Sequence, residues 1–251
     1  YVLKRAHLCE DRVEMENELA NLQLPSNFKL VITGGGRVAG GALELIAKTN
    51  IQKVSPEDFI AKEFNFPVYS QLDVEDYVKR EDGKAFDKST FYSDPTNHLS
   101  NFLPYAKTAD LYVACHYWDN RSPFIFSREQ AKDNDWKISV VADVSCDIDG
   151  PVASTLRPST IADPFYGYHP NTEKEVCFKD KNSIGVMAVD NLPCELPKDA
   201  SSEFGKMFIM HVLEPLTGND PENIIFRASE TIDGKLTPHF SYLQDYLEGK
   251  N

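Results

Sequence analysis

The stretch "VITGGGRVAGGALELI", residues 31–46, constrains the fold more than any other part of the chain. A short β-rich apolar run at 28–33 leads into three consecutive glycines, and the residues after them have helical spacing of apolar side chains. Gly34, Gly36 and Ala39 fit the pattern G-x-G-x-x-G/A between a strand and a helix. This pattern predicts either a cradle for the phosphates of a dinucleotide or a tight turn that binds no ligand.

Each position in the pattern has a physical role if the stretch is a phosphate cradle. The first glycine permits the tight turn, and the second lets the backbone approach a pyrophosphate. The helix that follows offers free N–H groups at its N-terminus, where an anion is favoured. The residues predicted to hold the phosphates are Gly34, Gly36, Arg37 and Val38.

The choice between NAD and NADP depends on the end of the second predicted strand. An acidic residue there, about 20 residues after the glycines, would bind the ribose 2′-hydroxyl of NAD. This chain has Ser55 in that place, with Lys53 nearby. A serine beside a lysine suits a 2′-phosphate, so the predicted cofactor is NAD or NADP with NADP favoured; the alternative is that Glu57 or Asp58 reaches the ribose.

Strand and helix patterns alternate along the chain, which predicts an α/β fold: a Rossmann-type, doubly wound, mostly parallel sheet with flanking helices. Residues 75–105 are predicted to leave the sheet, and residues 147–181 to form a long ordered loop. The predicted strands are 28–33, 51–55, 67–73, 109–117, 137–146 and 183–191. The predicted helices are 1–23, 37–49, 55–64, 127–132 and 196–216, with a further short helix near the C-terminus.

Composition excludes several classes of function. The net charge of −13 lacks the basic footprint of a nucleic-acid-binding protein, and no apolar run approaches the roughly 20 residues of a membrane span. Five widely spaced cysteines without a CxxC pair indicate reduced thiols and a cytoplasmic protein. Six scattered histidines give no metal-binding motif, so no metal is expected.

Polar or reactive side chains follow three of the predicted strands, at the edge where such sheets bind ligands. They are Cys115, His116, Asp143, Asp147, Asp190 and Asn191. Cys115, His116, Asp190 and Asn191 are predicted to lie near the cofactor, although His116 also fits a core neighbour and the 190–191 pair fits turn chemistry. Asp143 and Asp147 are candidates for binding a substrate ammonium group, with an Asp-rich turn as the alternative.

Five segments together resemble the lysine-forming saccharopine dehydrogenases, within the alanine dehydrogenase/transhydrogenase superfamily. They are "ITGGGRVAGGALELI", "ADLYVACHYW", "VVADVSCDIDGP", "TIADPFYGY" and "IGVMAVDNLPCELPKDAS". The most specific is the run D-x-L-P-x-x-L-P-x-x-A-S from Asp190 to Ser201, which follows D-V-S-x-D from Asp143 to Asp147 in the expected order. The similar segments extend from about residue 28 to about residue 215.

The resemblance implies a two-lobed enzyme of which this chain supplies the Rossmann lobe at 28–195. Residues 1–27 would be a helical remnant linking from a missing N-terminal lobe, and residues 196–251 would form helices that cross back towards it. The catalytic Lys and His of the family belong to that first lobe, so the catalytic residues are unknown here and the fragment alone should be inactive. Ser55 departs from the family by replacing its ribose-binding acid, and the segment 75–105 looks longer than in the fungal enzymes.

The reaction implied by the resemblance is oxidation of an amino-acid secondary amine. Hydride leaves the carbon that bears nitrogen for the nicotinamide, and hydrolysis of the imine gives lysine and 2-oxoglutarate from saccharopine. The expected partner is a small amino-acid substrate, and the oligomeric state is not predicted. Two alternatives stay open: an alanine or other imino-acid dehydrogenase of the same superfamily, and a non-catalytic NAD(P)-binding module.

Overall fold

The structure is a computed structural model that describes residues 3–250. It divides into two compact units, the first ending at Leu196 and the second beginning at Pro197. Within the described residues, no helix has the length and the apolar composition that a membrane span requires.

Eight strands of the first unit form one sheet, and two others pair separately. The strands in chain order are β1 (Lys29–Thr33), β2 (Gln52–Lys53), β3 (Val68–Leu72), β4 (Val78–Arg80), β5 (His98–Ser100), β6 (Leu111–Ala114), β7 (Val140–Asp143), β8 (Phe165–His169), β9 (Lys174–Val176) and β10 (Ile184–Met187). The sheet order is β2-β3-β1-β6-β7-β10-β8-β9, and β4 pairs with β5 alone. The strands from β2 to β10 in this order are parallel, while β8 and β9 are antiparallel to their neighbours.

The helices of the first unit are mostly short, and all except α1 lie between successive strands. They are α1 (Arg12–Leu19), α2 (Arg37–Ile46), α3 (Pro56–Ala61), α4 (Val74–Tyr77), α5 (Lys88–Ser93) and α6 (Leu103–Ala106). Three 3-10 turns lie at Ala6–Leu8, Gln130–Lys132 and Leu192–Glu195. Crossover helices between parallel strands explain why the apolar runs of this chain do not alternate with polar residues.

Strand β1 is buried along its whole length because it lies in the middle of the sheet with side chains packed on both faces. Leu30 and Ile32 pack with Ala39 and Ile46 of α2 on one face. Val31 points to the opposite face and joins the larger core cluster. The glycine turn after β1 therefore starts from a strand that is buried on both faces.

The predicted α/β, Rossmann-type fold is confirmed, and the prediction for residues 147–181 is wrong. That segment contains β8 and β9, an antiparallel pair whose Gly167 approaches Cys177 so closely that a Cβ there would lie 2.6 Å from the Cys177 carbonyl oxygen. Gly167 lies between two tyrosines in "FYGYH", and Tyr166 and Tyr168 are buried. The strand was not predicted because the residues on either side of it are rich in Pro and Asp, which are typical of loops.

Three other element predictions differ from the structure in extent. The predicted helix 1–23 is a 3-10 turn and the separate helix α1, and residues 1–2 lie outside the described part. The predicted strand 51–55 keeps only Gln52–Lys53, because Ser55 already caps α3. The predicted helix 127–132 is a single 3-10 turn, Gln130–Lys132.

The second unit consists of short helices and one small hairpin. They are α7 (Pro197–Phe208), α8 (Glu214–Thr217), α9 (Ile224–Ala228), β11 (Thr231–Ile232), β12 (Lys235–Leu236) and α10 (Gln244–Leu247), with a 3-10 turn at Pro238–Leu243. The single helix predicted over 196–216 is interrupted by a π turn, Ile209–Leu213, before Pro215 in α8. Such a turn accommodates the missing N–H and the ring of a proline within a helix.

Candidate functional site

The first glycine of the turn is required by the fold itself. Gly34 has a φ of +110°, and a Cβ there would lie 2.5 Å from the carbonyl oxygen of Cys115. Its N–H donates to the Leu72 carbonyl at 3.0 Å, and its carbonyl accepts from Gln71 Nε2 at 3.0 Å. Gly34 is thus clamped between the ends of β3 and β6, where only glycine avoids both the strained φ and the collision.

The next two glycines have no such structural requirement. An ideal Cβ on Gly35 or on Gly36 would meet no atom within 4 Å. Gly36 is the N-cap of α2 with ordinary extended angles (φ −91°, ψ −168°), so packing alone would accept larger residues there. Space in front of both glycines is therefore free for a ligand that approaches the backbone.

The N-terminus of α2 has the properties of an anion site. Its N-cap offers no side-chain hydrogen bond, and its first turn contains no acidic residue. The N–H groups of a first helical turn have no partner inside the helix, and here they belong to Arg37, Val38 and Ala39. Ala39 is fully buried against β1, which lets the helix begin close to the strand. The phosphate group of a dinucleotide fits this place.

The residue before the glycine turn is held by hydrogen bonds among buried polar side chains. Thr33 Oγ1, directly before the glycines, lies 2.9 Å from both Tyr112 Oη and His116 Nδ1. His116 follows β6 and is only 7% exposed, and its Nε2 has no hydrogen-bond partner. Burial lowers the pKa of His116 to about 4, so its imidazole is neutral near pH 7.

A cavity at the carboxyl edge of the sheet lies in front of the glycine turn, between the segments that follow β3 and β6. It measures about 620 Å³ and is lined by Gly34, Gly35, Gly36, His116 and Lys88 among others. Aromatic side chains from both loops contribute to its walls. They are Tyr77, Phe91, Tyr92, Tyr117 and Trp118. This combination of aromatic walls and a few polar groups suits a nucleoside.

A second cavity of about 590 Å³ shares Gly34, Gly35 and Asp73 with the first and extends to the start of α3. It contains Ser55, whose Oγ accepts a hydrogen bond from the N–H of Asp58 at 3.1 Å and thereby caps α3. Lys53 also lines it, and its Nζ donates to Gln71 Oε1 at 3.3 Å. The structure therefore brings Ser55 and Lys53 to the same cavity as the glycines.

The two acids considered beside Ser55 differ in their access to that cavity. Glu57 lines the cavity. The carboxylate of Asp58 instead pairs with Lys62 at 2.8 Å, one turn later on α3. Of these two, Glu57 is the residue with access to a ligand there.

Asp73 is a site residue that the sequence-based reasoning missed. It follows β3 directly and lines both cavities. Its Oδ1 accepts from the N–H of Val74 at 2.7 Å, and its Oδ2 accepts from Lys88 Nζ at 2.5 Å. Lys88 lowers the pKa of this carboxyl below its usual range, so Asp73 is ionised near neutral pH. The run D-V-E-D at 73–76 is a capping pattern, but nothing in it shows that the preceding strand lies beside β1.

Asp143 is placed as a structural residue. Its carboxylate is fully buried and accepts hydrogen bonds from Ser145 Oγ (2.5 Å), the Cys146 N–H (3.0 Å) and Thr155 Oγ1 (2.6 Å). These bonds hold the backbone turn after β7, where Cys146 has a φ of +53°. A substrate would have to displace the chain's own donors to reach this group.

Asp147 lies at the next turn and is only half-buried. Burial, with a smaller contribution from the charge of Asp143, raises the pKa of its carboxyl. Asp147 therefore keeps the access that Asp143 lacks.

A smaller cavity of about 350 Å³ lies between the ends of β7 and β10. Cys146 and the exposed Asp190 line it, whereas Asn191 begins the 3-10 turn that follows. The Cys146 thiol donates to the Ala188 carbonyl at 3.2 Å, and burial raises its pKa to about 11. Asp190 is thus an exposed acid at this end of the sheet edge.

Cys115 takes part in the site through its backbone carbonyl. All five are free thiols. Cys115 contributes its carbonyl against Gly34, and burial raises the pKa of its thiol to about 11. Within the part of the chain that the structure describes, no group of three or more His, Cys, Asp and Glu side chains is placed to hold a metal ion.

Comparison with known proteins gives distant relatives in two named groups. No protein-family model matches the chain. The chain is 27% identical to an alpha-aminoadipic semialdehyde synthase of Arabidopsis thaliana, over 92% of this chain and 24% of that protein. It is 24% identical to the mitochondrial alpha-aminoadipic semialdehyde synthase of Rattus norvegicus, over 88% of this chain and 27% of that protein.

A fungal relative gives a similar result. The chain is 26% identical to a saccharopine dehydrogenase (NAD(+), L-lysine-forming) of Candida albicans, over 88% of this chain and 48% of that protein. The chain is a distant homologue of these two groups of proteins, which confirms the resemblance to saccharopine dehydrogenases at this coarse level. It spans between about a quarter and a half of the length of the curated relatives it matches.

Proposed function

We propose that this chain is the nucleotide-binding lobe of an NAD(P)-dependent oxidoreductase that acts on a C–N bond of an amino acid. One observation carries the proposal: Gly34 is demanded by packing, whereas Gly35 and Gly36 are not, and they leave the N-terminus of α2 open. Glycines that the fold does not need are explained by a ligand that must approach the backbone. The names of the relatives support dehydrogenase chemistry for that ligand.

The chain's own residues would bind and orient the cofactor. The N–H groups of Arg37, Val38 and Ala39 would hold the pyrophosphate, with the helix dipole favouring its negative charge. Thr33 and neutral His116 would keep the turn in place without adding a charge beneath it. When bound, the nicotinamide supplies the hydride acceptor for oxidation of the substrate carbon.

The substrate proposed is saccharopine, with lysine and 2-oxoglutarate as products. A small amino-acid substrate of this kind carries ammonium groups, and Asp147, half-buried beyond the end of β7, is the acid proposed to bind one of them. Asp190 is proposed to lie on the cofactor side. The groups that transfer protons are proposed to belong to an N-terminal lobe outside this chain. A cytoplasmic location goes with the same proposal.

Calorimetric titration of the 251-residue chain with NADH and, separately, with NADPH tests the binding function. The sequence around Lys53 and Ser55 favours NADPH, a choice that stays a prediction. We expect saturable binding of at least one nucleotide with one site per chain. A chain that is folded by circular dichroism and binds neither nucleotide would contradict the phosphate cradle.

The reaction is tested on a full-length protein that contains this chain. Saccharopine-dependent reduction of NAD(P), followed at the nicotinamide absorbance, is the expected result. Turnover of alanine but not saccharopine would support an imino-acid dehydrogenase instead. Nucleotide binding without turnover of either would support a non-catalytic module.

A further inference from the structure

Three buried polar side chains form a row at Thr33, the residue directly before the glycine turn. Tyr112 Oη and His116 Nδ1 each lie 2.9 Å from Thr33 Oγ1, and they lie 3.5 Å from each other. Thr33 and Tyr112 are fully buried, and His116 is more than nine-tenths buried. Because water is excluded, the hydrogens of these three groups have to be shared among their own atoms.

One direction of hydrogen bonding satisfies both hydroxyl groups in this row. If Tyr112 donates to Thr33 and Thr33 donates to His116 Nδ1, each hydroxyl hydrogen has an acceptor and only Nε2–H is unpaired. In the reverse direction, Nδ1–H donates to Thr33 and Thr33 donates to Tyr112. Both the Tyr112 hydrogen and the Nε2 lone pair then lack a partner among the described residues. Unpaired buried polar groups are costly, so the first direction is favoured.

The hydrogen of the neutral imidazole therefore lies on Nε2. Burial raises the pKa of Tyr112 well above its ordinary value, which keeps the phenol protonated and able to donate. Burial also keeps His116 uncharged near pH 7, so its ring has one hydrogen to place. The row from Tyr112 through Thr33 thus determines which nitrogen of His116 is the donor.

His116 Nε2 is a donor at the wall of the cavity in front of the glycine turn. It has no acceptor in the described part of the chain, and the atom itself is closed to solvent. The His116 ring lines the cavity, as does Tyr77, whose ring packs on the imidazole with centroids 6.2 Å apart. A ligand oxygen in this cavity would recover the cost of the unpaired donor after a small shift of the wall beside the ring.

We propose that His116 binds the nucleotide by donating from Nε2 to one of its oxygen atoms, and that Tyr112 and Thr33 are positioning residues that place the hydrogen on Nε2. This inference rests on the proposed function and adds a contact to its site. An uncharged N–H donor pairs with phosphate, ribose or carboxamide oxygens and not with an ammonium group. His116 is also next to the turn, because its backbone nitrogen would lie 3.1 Å from a Cβ on Gly34.

His98 offers a comparison within the same chain. It is also buried, and its Nε2 also has no partner among the residues described. Its Nδ1, however, lies 3.2 Å from the Pro95 carbonyl, which can only accept, so Nδ1 has to carry a hydrogen. The His98 ring packs against Phe86 and Phe91 and is not among the residues that line either cavity at the glycine turn. The two imidazoles therefore differ in the state of Nδ1 and in access to a ligand.

Nitrogen-15 NMR of the ring nitrogens near neutral pH tests the tautomer in the free chain. We expect a protonated Nε2 and an unprotonated Nδ1 in His116, and a protonated Nδ1 in His98. Tyr112→Phe removes the hydroxyl that donates to Thr33, so the Nδ1–H form of His116 should become populated. A His116 ring with its hydrogen on Nδ1 in the wild-type chain would overturn the inference.

Calorimetric titration tests the contact, with NADH or NADPH, whichever the wild-type chain binds more tightly, and with ADP-ribose. His116→Phe keeps a ring but removes the donor, and should raise the dissociation constants about tenfold, which corresponds to about 1.4 kcal/mol. His116→Gln can accept from Thr33 and still donate, so it should restore most of the affinity. Equal losses with both ligands would place the acceptor oxygen on the part that they share, and a loss with the dinucleotide alone would place it on the nicotinamide carboxamide.

The matched control is His98→Phe, which removes a buried imidazole outside the cavity and should leave nucleotide affinity unchanged. Tyr112→Phe should weaken binding by less than His116→Phe, although Tyr112 does not line the cavity. Melting temperatures check that each variant is folded. Unchanged affinity in folded His116→Phe would overturn the role of His116 and leave a nucleotide site in place. Failure of the folded wild-type chain to bind either NADH or NADPH would instead remove the proposed function, and this contact with it.

Discussion

Gly36→Asp should change folding stability and nucleotide binding in opposite directions. A Cβ on Gly36 meets no atom within 4 Å, and its backbone angles are open to any residue. Aspartate is a better N-cap than glycine by a few tenths of a kcal/mol. Its charge at the N-terminus of α2 adds about 0.3–1 kcal/mol. The free energy of unfolding should therefore rise slightly, by about 0.5–1.4 kcal/mol in all.

The same carboxylate would lie against the pyrophosphate of a bound nucleotide. Two unit charges about 4 Å apart in a partly solvated site repel each other by about 4 kcal/mol. Since 1.4 kcal/mol corresponds to a factor of ten, the dissociation constant should rise by about a thousandfold. The loss should become smaller as salt is added, because an open site is screened.

Calorimetric titration and urea unfolding of the same preparations measure the two effects. Gly36→Asn is the matched control, since it has the same size and also caps a helix but adds no charge. It should weaken binding through bulk alone, and by less than Gly36→Asp. The difference between the two variants isolates the electrostatic part.

Unchanged nucleotide affinity in a folded Gly36→Asp would refute the reasoning. The turn would then be a connection that the fold tolerates, and the anion would have to bind elsewhere. Equal losses in Gly36→Asp and Gly36→Asn would refute the electrostatic part only, and would leave close approach of the ligand to the backbone as the reason for glycine.

Three further variants test the framework of the site. Gly34→Ala should lower the free energy of unfolding by about 3 kcal/mol or more in urea titration, because the φ of Gly34 is +110° and the added Cβ would lie 2.5 Å from the carbonyl oxygen of Cys115. A loss below about 1 kcal/mol would contradict the requirement for glycine at this position. The pKa of His116 is about 4 in the folded chain and 6.5 in the unfolded chain, so between these values the unfolded chain binds a proton that the folded chain does not. The free energy of unfolding should therefore fall as the pH is lowered, by about 2 kcal/mol between about pH 8 and about pH 5. His116→Gln should lack this contribution in unfolding curves at the two pH values, and an unaltered pH dependence would count against a buried neutral imidazole. Asp143→Ala should cost about 2–4 kcal/mol in thermal unfolding, since it leaves the buried hydroxyl of Thr155 and the partly buried donors of Ser145 and Cys146 without an acceptor; a near-neutral result would show that this turn is held by other contacts.

The sequence was sufficient to predict the fold class and the position of the glycine turn. Buried parallel strands read as continuous apolar runs, and "FKLVIT", "ADLYVACHY" and "SIGVMAVDN" all contain strands in the structure. Ser55 and Pro56 likewise begin α3 as their capping preferences predict. These signals depend on residues that are close in sequence, so they predict the elements correctly without knowledge of long-range contacts.

The elements that could not be predicted depend on contacts distant in sequence. β8 pairs with β10 on one side and β9 on the other, and its residues in isolation read as a loop rich in Pro, Gly and Asp. Asp143 looks like a candidate for substrate binding until the hydroxyl of Thr155, 12 residues away, is seen to bond to it. The accessibility of a carboxylate is a property of packing and cannot be read from its place after a strand.

The order of β2 and β3 shows how one such contact changes a functional inference. Counting about 20 residues from the glycines leads to Ser55, on the assumption that the next strand in sequence is the next strand in space. In this sheet β3 lies between β2 and β1, so the residue that follows the neighbouring strand is Asp73. Applied along the sequence, the rule leads to a serine that would bind a phosphate. Applied to the strand order in the sheet, it leads instead to a carboxylate that would bind the ribose. Cofactor preference in sheets of this kind should be inferred from the strand that hydrogen-bonds to β1, because reach from the pyrophosphate and not distance along the chain decides which side chain meets the ribose.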